Sequence, residues 1–249
     1  MPLLSIITVT YNAERFLERT IQSLIANQPG DEVEYLIIDG HSKDGTLAIV
    51  RNYAGHISRW VSEPDRGLYD AMNKGQQLAT GDYVWFMNAG DEIYDANTVS
   101  SLLNQIRTNP ADVYYSDALF VDDTGQPLGL RSVITPHTLP HNLTWRDMAM
   151  GMKVCHQAFI ARRSIVPPFW VENLSADVDW EIRCLKAAQK IVWLDFILCK
   201  YLVGGLSVQR HRQSLADRFR VLATHFGTAM ALWNHARIMA RAVRFRFSG

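Results

Sequence analysis

Four segments in the first half of the chain combine apolar residues with polar or acidic ends, and those ends are the groups that could do chemistry. The segments cover residues 5–12, 36–40, 63–67 and 83–91. Continuous apolar runs are typical of strands buried on both faces, as in a parallel sheet. In open α/β sheets, ligands bind just beyond the carboxyl ends of the strands. We therefore expect a ligand crevice there, and its acidic groups suit a metal or a ribose better than a bare phosphate.

The first two of these ends could contact a nucleotide. Tyr11 directly follows the first run and could stack on a base, or it could pack under a loop. Asp39 ends the second run and could accept a hydrogen bond from a base or a ribose, or it could cap a turn. The chain has neither a Gly-x-Gly-x-x-Gly nor a P-loop motif, so neither dinucleotide nor P-loop binding is indicated.

Two further carboxylates are candidates for a metal and for proton transfer. Asn88 and Asp91 follow the run at 83–91, and such oxygens can hold Mg²⁺ or Mn²⁺ beside a diphosphate, although a polar turn would look the same. Asp177 lies where a helix over residues 177–188 begins. It could take a proton from an attacking hydroxyl, or it could be the N-cap of that helix. Spacing alone leaves both open.

Strands and helices alternate over about the first 120 residues, which predicts a doubly wound sheet. At 249 residues we expect one large domain or one and a half. Hydrophobic periodicity predicts strands at 3–10, 33–39, 57–62, 113–115 and 118–121 and from 83 onward, and helices at 13–27, 47–53, 67–78, 98–107 and 177–188.

Five ordered segments together resemble glycosyltransferase family 2. They are Ile-Ile-Thr-Val-Thr-Tyr-Asn at 6–12, Ile-Ile-Asp-Gly-x-Ser-x-Asp-Gly-Thr at 37–46, the segment from Glu-Pro-Asp-x-Gly at 63–67 to Gly-Asp-Tyr at 81–83, Cys-His-Gln-Ala at 155–158 and Ala-Asp-x-Asp-Trp at 176–180. The likeness covers about residues 3–208 and is strongest to bacterial exopolysaccharide members, such as colanic acid transferases.

The resemblance implies a GT-A fold, with a Rossmann-like, mostly parallel sheet flanked by helices on both faces. It divides residues 1–208 into a nucleotide half (about 1–122) and a mixed acceptor half (about 123–208). It implies inverting transfer of a sugar from a nucleotide-sugar to a hydroxyl of a lipid-linked saccharide, with Asp177 as base and Mn²⁺ or Mg²⁺ at Asp91. It also assigns Thr10, Tyr11, Asp39, Arg66 and Asp70 to the nucleotide, and Asn73, Asn88, His156, Gln157, Asp179 and Trp180 to the donor and acceptor pocket.

The chain departs from the family pattern at two places. Residues 88–91 read Asn-Ala-Gly-Asp where the family often has Asp-Ala-Asp-Asp, so one carboxylate remains for a metal. Ala176 stands where the family has a Glu before the base. The chain lacks the Gln-x-x-Arg-Trp of processive synthases, which favours a single-addition enzyme. The alternatives are a sugar-phosphate nucleotidyltransferase, which should carry a Gly-rich loop after the first strand, and a non-catalytic nucleotide-sugar-binding subunit.

The last 41 residues form a basic tail. Residues 209–249 contain eight arginines and one acid, leaving 17 basic and 24 acidic residues in the rest of the chain. A basic amphipathic helix indicates an anionic membrane surface as partner, although a terminal helix packed on the body is the alternative. With three scattered cysteines and no basic segment before the first run, we expect a cytoplasmic protein on the inner membrane face and no nucleic-acid partner. The expected apolar stripe is Leu232, Ala236, Met239, Val243 and Phe247, flanked by Arg237, Arg241 and Arg244.

Overall fold

The computed structural model of the protein describes residues 2–27, 30–204 and 210–247. The strands are β1 Leu4–Thr10, β2 Val33–Asp39, β3 Arg59–Ser62, β4 Tyr83–Phe86, β5 Glu92–Ile93, β6 Val113–Tyr115, β7 Ala118–Val121, β8 Pro127–Leu130, β9 Phe159–Arg162, β10 Ile191–Trp193 and β11 Cys199–Leu202. The helices are α1 Leu17–Asn27, α2 Thr46–Asn52, α3 Leu68–Leu78, α4 Thr98–Thr108, α5 Arg131–Ile134, α6 Ala176–Ala187, α7 His211–Phe226 and α8 Thr228–Phe247.

A seven-stranded, mostly parallel sheet forms the centre of the molecule, which confirms the predicted α/β fold. Its strand order is β10-β6-β9-β4-β1-β2-β3. The pairs of β1 with β2 and with β4 are parallel, while β9 runs antiparallel to both of its neighbours. A second, mixed sheet has the order β5-β11-β7-β8. Because β9 and β10 complete the first sheet, the sequence on either side of residue 122 is interleaved in space.

The apolar runs become strands because they are covered on both faces. Every residue of β1 is buried, and six of the seven residues of β2 are buried. Helix α3 lies close against them, since a Cβ added at Gly75 would lie 2.5 Å from Ile7 Cγ2 and 3.2 Å from Ile38 Cγ1. A larger side chain at this position would therefore push the helix off the sheet.

The sheet register brings the polar ends of three strands to one edge. Thr10 is paired with Asp39 across β1 and β2. The chain leaving β4 continues beside β1, where the backbone N–H of Ala89 donates to the carbonyl of Val9 (3.2 Å). The carboxyl edge of the sheet is therefore as polar as the sequence predicted.

Helix α1 begins four residues later than predicted, whereas α2, α3 and α6 each begin one residue from the predicted start. Helix α1 begins at Leu17 rather than at residue 13. The N–H groups of Ala13 and Glu14 donate to the side chains of Thr46 and Asp44, so residues 13–16 form a turn tied to the next loop. Helix α6 begins at Ala176 with Ser175 at the N-cap. The alternative that Asp177 serves as the N-cap is therefore wrong.

The basic tail forms two helices that pack on each other and on the body. Ala231, Asn234 and Ile238 of α8 are buried, while Leu232, Ala236, Arg237 and Met239 are exposed. The predicted boundary at residue 208 and the side chains of Val243, Arg244 and Phe247 lie outside the described residues. In the described part of the chain, no helix combines the length and apolar character needed to cross a bilayer.

Candidate functional site

A cavity of about 620 Å³ opens between the carboxyl edge of the central sheet and the second sheet. Its wall is built from the chain segments after β1 and β4, the first turns of α3 and α6, residues 155–157 and the end of β11. Six of the residues predicted from the sequence line this pocket: Tyr11, Asn88, Asp91, His156, Gln157 and Asp177.

Tyr11 is presented to solvent at the mouth of the pocket, with 62% of its surface exposed. The next residue, Asn12, has a left-handed backbone (φ 47°), and its side-chain oxygen accepts a hydrogen bond from the N–H of Lys43 (2.9 Å). The loop after β2 thus fixes the turn that carries Tyr11. A Cβ at Gly40 would lie 3.3 Å from the Tyr11 ring and 2.5 Å from Asp65 Oδ2, so the absence of a side chain keeps this crevice open.

Asp39 and Thr10 lie at the carboxyl edge of the sheet but not on the pocket wall. Asp39 is 1% exposed, and its oxygens accept hydrogen bonds from the hydroxyls of Ser42 and Ser62 (2.5 and 2.6 Å). Thr10 Oγ1 is buried without a hydrogen-bond partner. Thr10 therefore lies behind the pocket wall, whereas Asp39 organises the two loops beside Tyr11.

Asp91 and Asn88 face the pocket after β4. One carboxylate oxygen of Asp91 accepts a hydrogen bond from the N–H of Leu202 (2.9 Å), and burial raises the pKa of this carboxyl to about 8. Asn88 Oδ1 is buried with no hydrogen-bond partner. Among the described residues, no group of three His, Cys, Asp or Glu side chains could hold a metal ion. The protein therefore offers one carboxylate and one free amide oxygen.

Asp177 projects from the first turn of α6 and is partly exposed to the pocket. Burial raises the pKa of its carboxyl to about 6, although a hydrogen bond from the Val178 N–H (2.9 Å) and the neighbouring Tyr69 hydroxyl, which donates to the Leu174 carbonyl (3.3 Å), oppose this rise. A carboxylate with this pKa is mostly ionised at pH 7 and remains basic enough to accept a proton.

His156 and Gln157 form the floor of the pocket, with a buried acid behind them. His156 is 4% exposed and both of its ring nitrogens lack hydrogen-bond partners, so burial lowers its pKa to about 3. Its Nδ1 lies 3.7 Å from an oxygen of Glu181, whose pKa burial raises well above the usual range. The sequence analysis missed Glu181, although its position four residues after Asp177 on one helix face was a usable signal.

Three other predicted residues support the pocket from behind. Trp180 is fully buried and stacks on Phe169, with ring centroids 5.1 Å apart. The side chain of Asn73 donates to the carbonyl of Phe169 (3.0 Å) and accepts from its N–H (2.7 Å). Asp179 faces α7, where His225 Nε2 lies 2.7 Å from its carboxylate. None of the three lines the pocket.

Arg66 and Asp70 lie on the surface outside the pocket wall. They form an ion pair of 3.0 Å one turn apart, and the side chain of Arg66 is 70% exposed. Exposed pairs of this kind contribute little to stability. The pair lies at the start of α3, the helix whose Tyr69 reaches Asp177.

The pocket also contains Arg131, which no motif in the sequence distinguished. Its guanidinium donates to the carbonyls of Lys153 (2.7 Å) and Met152 (2.8 Å), so it is held in place by backbone groups. Arg131 is 6% exposed. It gives the wall of the pocket a fixed positive charge.

Comparison with known proteins identifies the family. The sequence profile of glycosyl transferase family 2 matches residues 5–166, about two thirds of the chain. The chain belongs to glycosyltransferase family 2. The transferase is 30% identical over 222 residues to a PGL/p-HBAD biosynthesis glycosyltransferase of Mycobacterium tuberculosis. The match covers 83% of this chain and 79% of that protein. It is 34% identical over 225 residues to an uncharacterized glycosyltransferase of the same species, covering 88% and 82%.

Solved structures confirm the GT-A-like fold. The transferase matches TarS 1–349 of S. aureus in complex with UDP-GlcNAc with a TM-score of 0.72 and 21% identity, covering 97% of this chain and 72% of that one. It spans 43% of the longer TarS chain. A mannosyltransferase of Pyrobaculum calidifontis, solved with GDP-Man and Mn²⁺, matches with a TM-score of 0.63 and 16% identity, covering 98% and 75%.

Proposed function

We propose that the transferase moves a sugar from a nucleotide-sugar to an acceptor hydroxyl with inversion, and that Asp177 is the base. The observation that carries this proposal is the position of Asp177 in the same pocket that Tyr11 and Asp91 line. The acceptor hydroxyl would lie against Asp177, which takes its proton while the oxygen attacks the anomeric carbon. A single displacement of this kind inverts the anomeric centre and needs no second nucleophile.

The nucleotide would bind at the carboxyl edge of β1 and β2. The exposed ring of Tyr11 supplies a stacking face, and Thr10 lies just before it at the end of β1. Asp39 would act by holding the loop of Ser42 and Ser62 beside the base. The pocket floor at His156 and Gln157 would contact the sugar, since neutral His156 has two ring nitrogens free for hydrogen bonds.

The residues at the end of β4 fit a divalent metal only together with the donor. Asp91 offers one carboxylate and Asn88 one unpartnered amide oxygen, and Mg²⁺ is commonly bound by one or two carboxylates plus substrate phosphates. A bound Mn²⁺ or Mg²⁺ would stabilise the charge of the leaving nucleoside diphosphate. The role of the protein here is to orient these two oxygens towards the diphosphate.

We further propose a lipid-linked saccharide acceptor in exopolysaccharide synthesis and a peripheral position on an anionic membrane. Support comes from the exposed face of α8, which carries Leu232 (60% exposed), Trp233 (64%), Met239 (59%) and the cation of Arg237. Apolar and basic side chains on one exposed face suit a bilayer surface. Because Arg241 instead packs against Met150, it contributes to this face less than the sequence predicted.

The membrane proposal needs substitutions rather than truncation, because removing residues 231–249 would also remove Ala231 and Ile238, which are buried, and would expose the apolar surface that they cover. Replacing Leu232 and Trp233 with serine should weaken co-sedimentation with vesicles containing phosphatidylglycerol while donor hydrolysis continues. Binding should also weaken in high salt, since the screening length falls from about 8 Å at physiological ionic strength to about 3 Å at 1 M. Unchanged sedimentation of the double variant would contradict the proposal.

A thermal-shift panel tests the donor site directly. The panel contains UDP and GDP, each with and without Mn²⁺. At least one of the two nucleotides should raise the melting temperature of the wild type. Slow release of free sugar from the matching nucleotide-sugar would then separate an enzyme from a non-catalytic binding subunit. If neither nucleotide shifts the melting temperature, the proposed donor site is wrong.

A further inference from the structure

Five basic side chains meet on the acceptor side of the pocket, and we call them the cationic cluster: Arg131, His137, Lys153, Arg218 and Arg241. Arg131 lies in α5, His137 and Lys153 lie in the chain between α5 and β9, and Arg218 and Arg241 lie in α7 and α8. Arg241 lies 3.5 Å from His137 Nδ1 and donates to the Met150 carbonyl (3.3 Å). Lys153 Nζ donates to the Thr138 hydroxyl (3.2 Å).

The cationic cluster has no paired acid in the described part of the chain. Other basic residues, such as Arg162 and Arg183, form ion pairs with aspartates, whereas none of the four Arg and Lys members of the cluster does so. Asp147 is near enough to favour the charged form of Lys153 without pairing with it. The Nε atoms of Arg218 and Arg241 are buried without hydrogen-bond partners.

Burial makes this arrangement costly. Arg131 and Lys153 are only 6% and 8% exposed. Burial and the neighbouring positive charges lower the pKa values of Lys153, Arg218 and Arg241, and lower the pKa of His137 to about 3. Buried cations in proteins are usually paired with a group of opposite charge, and this cluster has no such group within the described part of the chain.

One member of the cationic cluster, Arg131, also lines the pocket. Arg131 and Met152 line the pocket wall, and the guanidinium of Arg131 donates to the carbonyls of residues 152 and 153. The charge of Arg131 also reaches Tyr201 and Glu181, on the same side as Asp177. An anion bound at Arg131 would thus lie at the wall of the same pocket that Asp177 faces.

We propose that the cationic cluster binds a phosphate or diphosphate group of the acceptor, so that the transferase selects phosphate-bearing acceptors. Arginine recognises phosphate by paired, charge-assisted hydrogen bonds, and the free Nε atoms of Arg218 and Arg241 are donors of that kind. The donor diphosphate would lie instead at the strand ends near Asp91. This inference rests on the proposed function, because only a transferase with its base at Asp177 has its acceptor here.

Binding of inorganic pyrophosphate in the presence of saturating UDP is the test, measured by calorimetry. The wild type should bind pyrophosphate with UDP already bound. The double variant Arg218→Gln, Arg241→Gln should bind it roughly 10–100-fold more weakly, the usual effect of losing charge-assisted hydrogen bonds. Arg237→Gln, an exposed arginine one turn before Arg241, is the matched control and should bind normally.

Several results would overturn the proposal. It fails if the wild type does not bind pyrophosphate, if UDP displaces pyrophosphate, or if the double variant binds as the wild type does. It also fails if the double variant loses binding to phosphatidylglycerol vesicles but keeps pyrophosphate, because the cluster would then hold a lipid headgroup. Melting temperatures check that the variants fold. Each single variant should melt at the wild-type temperature or higher, because removing one cation relieves the repulsion within the cluster. If UDP does not bind while pyrophosphate does, the proposed donor site fails and the anion site stands.

Discussion

Removing the Tyr69 hydroxyl should shift the pH dependence of the transferase in a direction that the structure fixes. Burial raises the pKa of Asp177 to about 6, and the neighbouring Tyr69 hydroxyl opposes that rise. A base acts when deprotonated, so the wild-type rate should fall about tenfold per pH unit below pH 6 and level off above it. Tyr69→Phe should move this midpoint upward, because it removes the hydroxyl that favours the ionised carboxylate.

The assay is kcat/KM for sugar release from the donor between pH 4.5 and 8. Tyr35→Phe is the matched control, because Tyr35 is also buried but donates to Thr8. Asp177→Asn should lower the rate by about 10²–10⁴-fold and leave nucleotide binding intact. The reasoning is refuted if Asp177→Asn turns over normally while Asp179→Asn does not, or if Tyr69→Phe moves the midpoint downward.

Three shorter predictions test other parts of the site. Asp91→Ala should abolish any Mn²⁺-dependent gain in nucleoside diphosphate affinity measured by calorimetry. If the wild type binds the nucleotide equally well with and without Mn²⁺, the proposed metal site is wrong. Tyr11→Ala should weaken nucleotide binding by about 1–3 kcal/mol, the usual value of base stacking, whereas Tyr11→Phe should bind normally. Trp180→Ala should destabilise the protein to urea by about 3–5 kcal/mol, because it empties a fully buried site; a change under 1 kcal/mol would contradict this assignment.

The central sheet was predictable because its strands are covered on both faces. Strands β2 and β6 of this sheet begin and end where hydrophobic periodicity predicted, as does β7 of the second sheet. The start of α1 was not predictable in this way, because Thr46 and Asp44 take the first N–H groups through contacts with the next loop. Single-sequence periodicity carries no information about such contacts.

The candidate site likewise contains residues that the local sequence pattern predicted and residues that it did not. Tyr11, Asn88 and Asp91 were found because strand ends of a parallel sheet converge. Arg131 was missed because it belongs to no motif and reaches the pocket only through backbone carbonyls far from it in sequence. Trp180 shows the converse case. It belongs to a motif and was assigned to the pocket, but it is fully buried in the core behind the pocket.

The anomeric configuration of the first sugar released tests the central claim most directly. The transferase would be incubated with an α-linked nucleotide-sugar such as UDP-GlcNAc, or the donor that the thermal-shift panel selects, and early products followed by proton NMR. One displacement with Asp177 as base predicts that the β-anomer appears first and that Asp177→Asn nearly abolishes it. Initial release of the α-anomer, or of the β-anomer at an undiminished rate in Asp177→Asn, would contradict the account.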